Sequence, residues 1–242
     1  MKPKLLHLSC VLLAAISIAV LLRVLLFGML VIPHNGEAPV LIEGDRVVVN
    51  KWSYGLRRPF SRWGGYHRYA AKQPERGDWM VFNSPSVEKG ALPDTSGLCI
   101  GCVLACPGDT IWLGNKGRVS SVCDYPSGCI WPVIVPSSGS NIRVTPWNRS
   151  LYERTVQRFS SSDSQTFVKR DSSEFCRFHR DYFWIVSGNE ANMNDSRTLG
   201  LVPMEFVLGK AVSVAYSLDS SKPWYRTLRR KRFFKPVGET DD

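Results

Sequence analysis

The chain has 242 residues, of which 44% are hydrophobic, 11% aromatic and 21% charged, and 31 Lys plus Arg against 21 Asp plus Glu give a formal net charge of +10. That size accommodates one domain with a core of its own plus an appendage. The charged fraction and the eight Trp exclude a disordered or collagen-like chain, and seven cysteines are too sparse for a disulfide-stapled miniprotein.

Residues 1–4 carry Lys2 and Lys4 and lead into an apolar run from Leu5 to Leu22, broken by His7, Ser9, Cys10 and Ser17 and closed by Arg23. At about 1.5 Å per residue such a run matches the hydrocarbon thickness of a bilayer. Small residues in an Ala-x-Ala-like pattern do not follow it; the next stretch, residues 24–32, is again apolar. An uncleaved membrane helix over 5–22 is therefore expected rather than a removed signal peptide or a buried helix. The positive-inside rule puts residues 1–4 in the cytoplasm and residues 23–242 on the outer face.

After the anchor the apolar runs read as strands. Residues 46–50 follow Glu43-Gly44-Asp45, residues 79–82 follow Gly77-Asp78, and residues 99–106 end at Pro107-Gly108-Asp109. Residues 110–113, 131–135, 182–187 and 210–216 complete the set. None carries sustained helical periodicity, so the domain is expected to be mainly β. Residues 137–174 are polar, Ser-rich and weakly patterned, which suggests an insertion.

The tail, residues 222–242, holds seven Lys or Arg between Lys222 and Lys235 with no acid among them, interleaved with Trp224, Tyr225, Phe233 and Phe234. With a membrane span at the other end of the chain, lipid headgroups suit this composition better than nucleic acid, which is not expected as a partner. A solvated face whose aromatics pack inward remains the plain alternative.

Three segments in order resemble the bacterial type I signal peptidase (leader peptidase) family. That family's box Pro-Ser-x-Ser-Met-x-Pro-Thr-Leu is met here by Pro33-His34-Asn35-Gly36-Glu37-Ala38-Pro39-Val40-Leu41, followed by Gly44-Asp45 and a β-branched strand reaching Tyr54-Gly55. The box Gly-Asp-x-Val-Val-Phe, then Tyr-Ile-Lys-Arg-Val-x-Gly-x-Pro-Gly-Asp, is met by Gly77 to Phe82 and by Cys99-Ile100-Gly101-Cys102 through Pro107-Gly108-Asp109. The last box, Gly-Asp-Asn-x-x-x-Ser-x-Asp-Ser-Arg, is met by Ser187-Gly188-Asn189 through Met193 to Asp195-Ser196-Arg197. Pro39, Gly44, Asp45, Gly108, Asp109, Asn189, Asp195, Ser196 and Arg197 keep the family's scaffold residues.

The resemblance implies an antiparallel β-sheet signal-peptidase-like domain with one N-terminal transmembrane helix, facing the outer side of a bacterial inner membrane. It also implies a serine endopeptidase reaction run by a Ser/Lys dyad, in which a lysine kept neutral by burial takes the serine's proton. Residue by residue, the nucleophile position falls on Gly36 and the general base on Gly101. The supporting serine falls on Met193 and the acid of Gly-Asp-Asn on Gly188. The expected protein is a pseudoenzyme that binds an exported peptide or partner protein in an apolar cleft, with Ile32, Pro33, His34 and Asn35 on one rim and Cys99 and Ile100 on the other. Two alternatives are an active peptidase with an unconventional pair such as Cys102 with His34, and a structural or assembly protein of secretion or surface appendages.

Cys123 and Cys129 flank a Pro- and Gly-containing loop, and the resemblance to Gram-negative relatives implies a disulfide between them. Cys99, Cys102, Cys106 and Cys176 are not expected to hold a metal or cluster, because residues an odd number apart in a strand, such as Cys99 and Cys106, face opposite sides. No cofactor is expected.

Overall fold

The computed structural model describes residues 2–32, 40–58, 67–84, 97–114, 119–120, 131–159, 166–170, 173–188, 195–219, 221 and 227–238. Helix α1 (Lys2–Leu26) is longer at both ends than the apolar run suggests and passes without a linker into strand β1 (Phe27–Val31). Its apolar side chains are exposed, with Leu8, Val11, Leu12, Leu13, Ile16, Ile18 and Val20 all between 52% and 67% accessible. Side chains 1–6, 21, 22, 24 and 25 are outside the description, and among the described residues no helix is long and apolar enough to cross a membrane.

Strands β2 (Asp45–Asn50), β3 (Leu56–Arg57), β4 (Arg68–Tyr69), β5 (Trp79–Asn83), β6 (Leu98–Ala105) and β7 (Thr110–Leu113) follow. Three of them, β2, β5 and β7, start from the same device. Gly44, Gly77 and Gly108 hold φ of +85°, +87° and +91°, the left-handed range that the third position of a type II turn requires. Each following aspartate closes its turn. The amides of Asp45, Asp78 and Asp109 donate to the carbonyls of Ile42, Glu75 and Cys106 at 3.1, 3.2 and 3.0 Å. Their carboxylates accept from the amides of the same three residues at 2.9, 3.1 and 2.7 Å. Each carboxylate then takes a cation: Arg232 on Asp45, Lys210 on Asp78 and Arg76 on Asp109.

Beyond β7 lie β8 (Val119–Ser120), β9 (Trp131–Ile134), β10 (Asn141–Val144), helix α2 (Arg149–Phe159), β11 (Thr166–Arg170), β12 (Ser173–Arg177) and β13 (Tyr182–Val186). Helix α3 (Ser196–Leu199), β14 (Val202–Pro203), the long β15 (Val207–Ser217) and β16 (Lys235–Pro236) complete the chain. The main sheet is antiparallel with order β1-β2-β15-β5-β6-β13-β14, and β16 pairs with β15. The antiparallel β architecture expected from the sequence is thus present. Register shifts at Val207/Gly209 against β5, and at Ala211/Ser213 and Val214/Tyr216 against β2, bend β15 along its length.

Paired residues share a face of an antiparallel sheet, so two cross-strand rows define its two faces. Leu30, Val47 and Val214 line one face and pack with Ile32, Leu41, Val49, Trp79, Val81, Ile100 and Ala211. Phe27, Asn50, Lys210, Met80 and Gly101 line the other. Over β5 and β6 that second face is covered by Phe159, Phe183, Ile185, Leu199, Val202 and Phe206.

Residues 137–174 differ from the weakly patterned insertion read from the sequence. They contain β10, α2, β11 and the start of β12, and β12 pairs with both β10 and β11. Helix α2 corrects the reading that no helix is present in the domain. It was hidden because its buried side chains, Leu151, Tyr152, Thr155 and Phe159, are few and set among polar residues. Its entrance is fixed by Thr145 and Asn148, with the Thr145 amide donating to Asn148 Oδ1 at 2.8 Å. Its Thr155 hydroxyl accepts the Leu201 amide at 3.1 Å, joining α2 to the end of α3.

Candidate functional site

Pro33, His34, Asn35, Gly36 and Pro39 lie outside the described residues, but both ends of their segment are fixed. The Ile32 amide donates to the Asp45 carbonyl at 2.8 Å and the Gly44 amide to the Ile32 carbonyl at 3.2 Å. On the far side, Arg232 donates from Nη2 to the Val40 carbonyl at 2.9 Å, and Leu41 is fully buried. Ile32 and Ile100, expected on opposite rims of a cleft, are brought into one apolar cluster and are buried to 1% and 6% exposure. Cys99 turns to the other face of β6 and packs against the cluster that contains Met80, Phe82 and Val103.

Gly101 is fully described and closely surrounded. A Cβ added there would lie 2.6 Å from Ile185 Cγ2 and 2.8 Å from the Val186 carbonyl oxygen. Atoms do not approach that closely without displacement, and one of the two obstacles is backbone. The general-base position of the resemblance therefore lacks a side chain and also the room to start one. Behind it, Ile185 shares a cluster with Phe159 of α2 and Phe206, whose rings meet edge to face at 4.9 Å.

The last box acts as a brace for β13. Ladder register shifts between Trp184 and Ile185, which turns the Ile185 amide away from its strand partner. The amide donates instead to Ser196 Oγ at 2.9 Å. Asp195, completely buried, caps α3 by accepting from the Arg197 amide at 2.9 Å and also accepts the Ser187 amide at 3.0 Å. Arg197 closes an ion pair on the same carboxylate. Gly188 is exposed, whereas Asn189 and Met193 lie outside the described residues.

Cys10, Cys99, Cys102, Cys106 and Cys176 form no disulfide; Cys123 and Cys129, the expected disulfide, lie outside the described residues. The expectation that Cys99 and Cys106 face opposite sides is corrected, since both pack on one cluster. The cause is the bulge between β6 and β13, where Val103 and Ala105 face consecutive residues of β13 and the alternation loses one step. Burial, helped by the Asp78 charge, pushes the Cys102 thiol up, and burial pushes Cys176 up to about 11. Such thiols are protonated and poor nucleophiles at neutral pH. Among the described residues no group of three or more His, Cys, Asp or Glu is disposed to hold a metal.

Sequence reasoning missed a polar cleft of about 270 Å³ lined by Ser53, Tyr54, Lys72, Gln73, Glu75, Asp78 and Lys210. Tyr54 donates to Asp78 Oδ2 at 3.0 Å and Lys210 donates to Asp78 Oδ1. Burial of Asp78 opposes ionisation, but donation from Lys210, the Glu75 amide and Tyr54 outweighs it and holds the carboxyl below the usual range. The signal available was a single charged residue, Lys210, inside the otherwise uncharged run 207–217. Lys210 and Gly101 flank Met80 in one row, two strands apart, about 10 Å at the usual strand spacing.

Residues 5–216 match the family model for signal peptidase, peptidase S26. The chain belongs to this family. It is 24% identical to Signal peptidase I of Rickettsia akari over 260 residues, covering 94% of this chain and 91% of that protein. It is 26% identical to Signal peptidase I of Pseudomonas aeruginosa over 223 residues, covering 85% of this chain and 70% of the relative. Signal peptidase I of Buchnera aphidicola is 22% identical over 251 residues, with 89% and 76% covered.

Proposed function

We propose that this signal peptidase family member is anchored in a bacterial inner membrane by α1, with its domain on the outer face, and binds an exported peptide or partner protein without cutting it. The observation that carries the reading is Gly101, where the family's lysine would stand and where Ile185 and the Val186 carbonyl fill the space of even a Cβ. Peptide hydrolysis of this type needs a nucleophile and a neutral base within reach of each other. Gly36 offers no side chain for the first role and Gly101 none for the second.

The substitutes within the described residues are poor. Ser53 and Lys210 line one cleft, but Lys210 Nζ is engaged by the Asp78 carboxylate. Cys102 is protonated by reason of burial. The anchor is supported by α1 itself: it is apolar on every side and its described side chains from Leu8 to Val20 are exposed, as suits a helix surrounded by lipid. Ile32 and Ile100, from the two expected rims, share one apolar cluster.

The test is fluorescence anisotropy of a labelled signal peptide, with small residues at its cleavage site, added to the full chain in detergent micelles. Saturable binding with intact peptide recovered is the expected outcome. Absence of any saturable binding contradicts the reading.

A further inference from the structure

The three-stranded sheet β10-β12-β11 has one face in the core and one turned outward. Ile142 pairs with Cys176 and Cys176 with Phe167, and this row packs into the apolar cluster beneath, with Ile142 4% and Cys176 0% exposed. The alternate residues make the other face. There Arg143 pairs with Phe175 and Phe175 with Val168, Asn141 with Arg177 and Arg177 with Thr166, and Ser173 with Arg170. Asn141, Arg143, Val168 and Arg177 are exposed, and Phe175 is half-buried.

None of these positions holds an acid. Around Phe175 the register sets Arg143 opposite, Arg177 two residues along the same strand and Arg170 on the diagonal. Arg143 and Arg177 are diagonal neighbours too, about 7–8 Å apart, a like-charge arrangement that gains nothing within the chain. Among the described residues neither of these two guanidiniums has an ion-pair or hydrogen-bond partner. Nearby, Glu153 and Glu174 are both engaged by Arg149, at 2.7 and 3.0 Å. The platform is held at both ends: the Arg143 carbonyl accepts from Asn148 Nδ2 at 3.1 Å, and the Phe178 amide donates to the Ser140 carbonyl at 2.9 Å.

We propose that this face docks an acidic segment of a partner protein, one in which an apolar residue lies between carboxylates. The apolar residue covers Phe175 and Val168, and the carboxylates take the planar forks of Arg143 and Arg177. Docking replaces repulsion between unmatched cations with complementary charge, on strands that need little ordering. A phosphate polymer or a lipid headgroup would answer the charge but leave the apolar centre uncovered, which selects a protein. The face shares no residue with the Ile32 and Ile100 cluster, so it is a second surface and stands apart from the peptide reading above.

The test is fluorescence anisotropy of a labelled Glu-Glu-Phe-Glu-Glu peptide with the full chain in neutral detergent micelles. Saturable binding is expected, weakened about tenfold or more when the peptide is Gln-Gln-Phe-Gln-Gln or the chain carries Arg143→Glu with Arg177→Glu. Arg143→Gln with Arg177→Gln, which adds no acid, weakens it in the same direction, and Glu-Glu-Gly-Glu-Glu binds less well than the parent peptide. No saturable binding, or binding that the arginine variants leave unchanged, overturns the proposal. Displacement by a heparin fragment, or by phosphatidylglycerol added to the micelles, as effective as that by unlabelled peptide overturns the choice of a protein partner. The double variants still bind the labelled signal peptide; if they lose it, this face belongs to the peptide site and the second surface is overturned. A parent chain that binds the acidic peptide and not the signal peptide sinks the earlier reading alone.

Discussion

Arg232 and Asp45 form a two-pronged ion pair, with Nε 3.0 Å and Nη2 2.7 Å from the two carboxylate oxygens and side chains only 5% and 0% exposed. They are 187 residues apart in sequence, so the pair fastens the C-terminal segment to the turn that launches β2. Removing one partner of a buried pair strands the other, at a cost of about 3–5 kcal/mol. Arg232→Ala and Asp45→Ala are each expected to lower stability by about that amount in urea titration. Arg232→Lys, lacking the planar fork, should recover only part of the loss.

Gly101 gives a second prediction. Overpacking a filled core commonly costs about 1–3 kcal/mol, so Gly101→Ala should destabilise by that order and Gly101→Lys by more. Gly97→Ala is the control, because a Cβ there meets nothing within 4 Å. Thermal unfolding of the three variants side by side checks the ranking; a Gly101→Lys protein as stable as its parent would mean that β13 yields easily. A lysine written in at position 101 is therefore expected to be poorly accommodated even with Ile185 cut down, because the Val186 carbonyl oxygen would still lie 2.8 Å from its Cβ.

The strands were legible because β-branched runs bounded by Gly-Asp pairs leave few choices, and Arg46 to Asn50 and Trp79 to Phe82 lie where their composition places them. Helix α2 was not, since the apolar stripe of Leu151, Tyr152 and Phe159 is short and its neighbours are polar. The family boxes located Gly101 and Asp195, but the crowding of one and the bracing role of the other depend on a bulge beside Ile185 that no local pattern encodes. Arg232 was read as one of seven tail cations; its partner is too distant in sequence for composition to separate it from Arg230 or Lys231.

The Ser196 hydroxyl is the partner of a buried amide that the bulge removes from the ladder. Ser196→Ala leaves that donor unmet, at about 1–3 kcal/mol. Hydrogen exchange is the direct readout: the Ile185 amide should lose protection while that of Val103, in the neighbouring strand, changes less.

Acid titration tests the turns. Arg76 holds the Asp109 carboxyl below its ordinary value of 3.8, burial opposing, and Asp78 is also depressed. A depressed carboxyl contributes stability that is full above its unfolded value and lost as pH falls through the lower folded one. The chain is expected to weaken below about pH 4. Asp109→Asn and Asp78→Asn, less stable at pH 7, should show a shallower loss; an unchanged slope would remove these pairs from the acid limb.

The most direct test of binding without cutting is a single-turnover experiment, with the full chain in micelles held in excess over a preprotein bearing an Ala-x-Ala site and the products read by mass spectrometry. Intact preprotein that co-purifies with the chain, with no cleavage above the buffer rate, is the predicted result. Formation of mature protein at the signal-peptide junction, at a rate that scales with chain concentration, would contradict it.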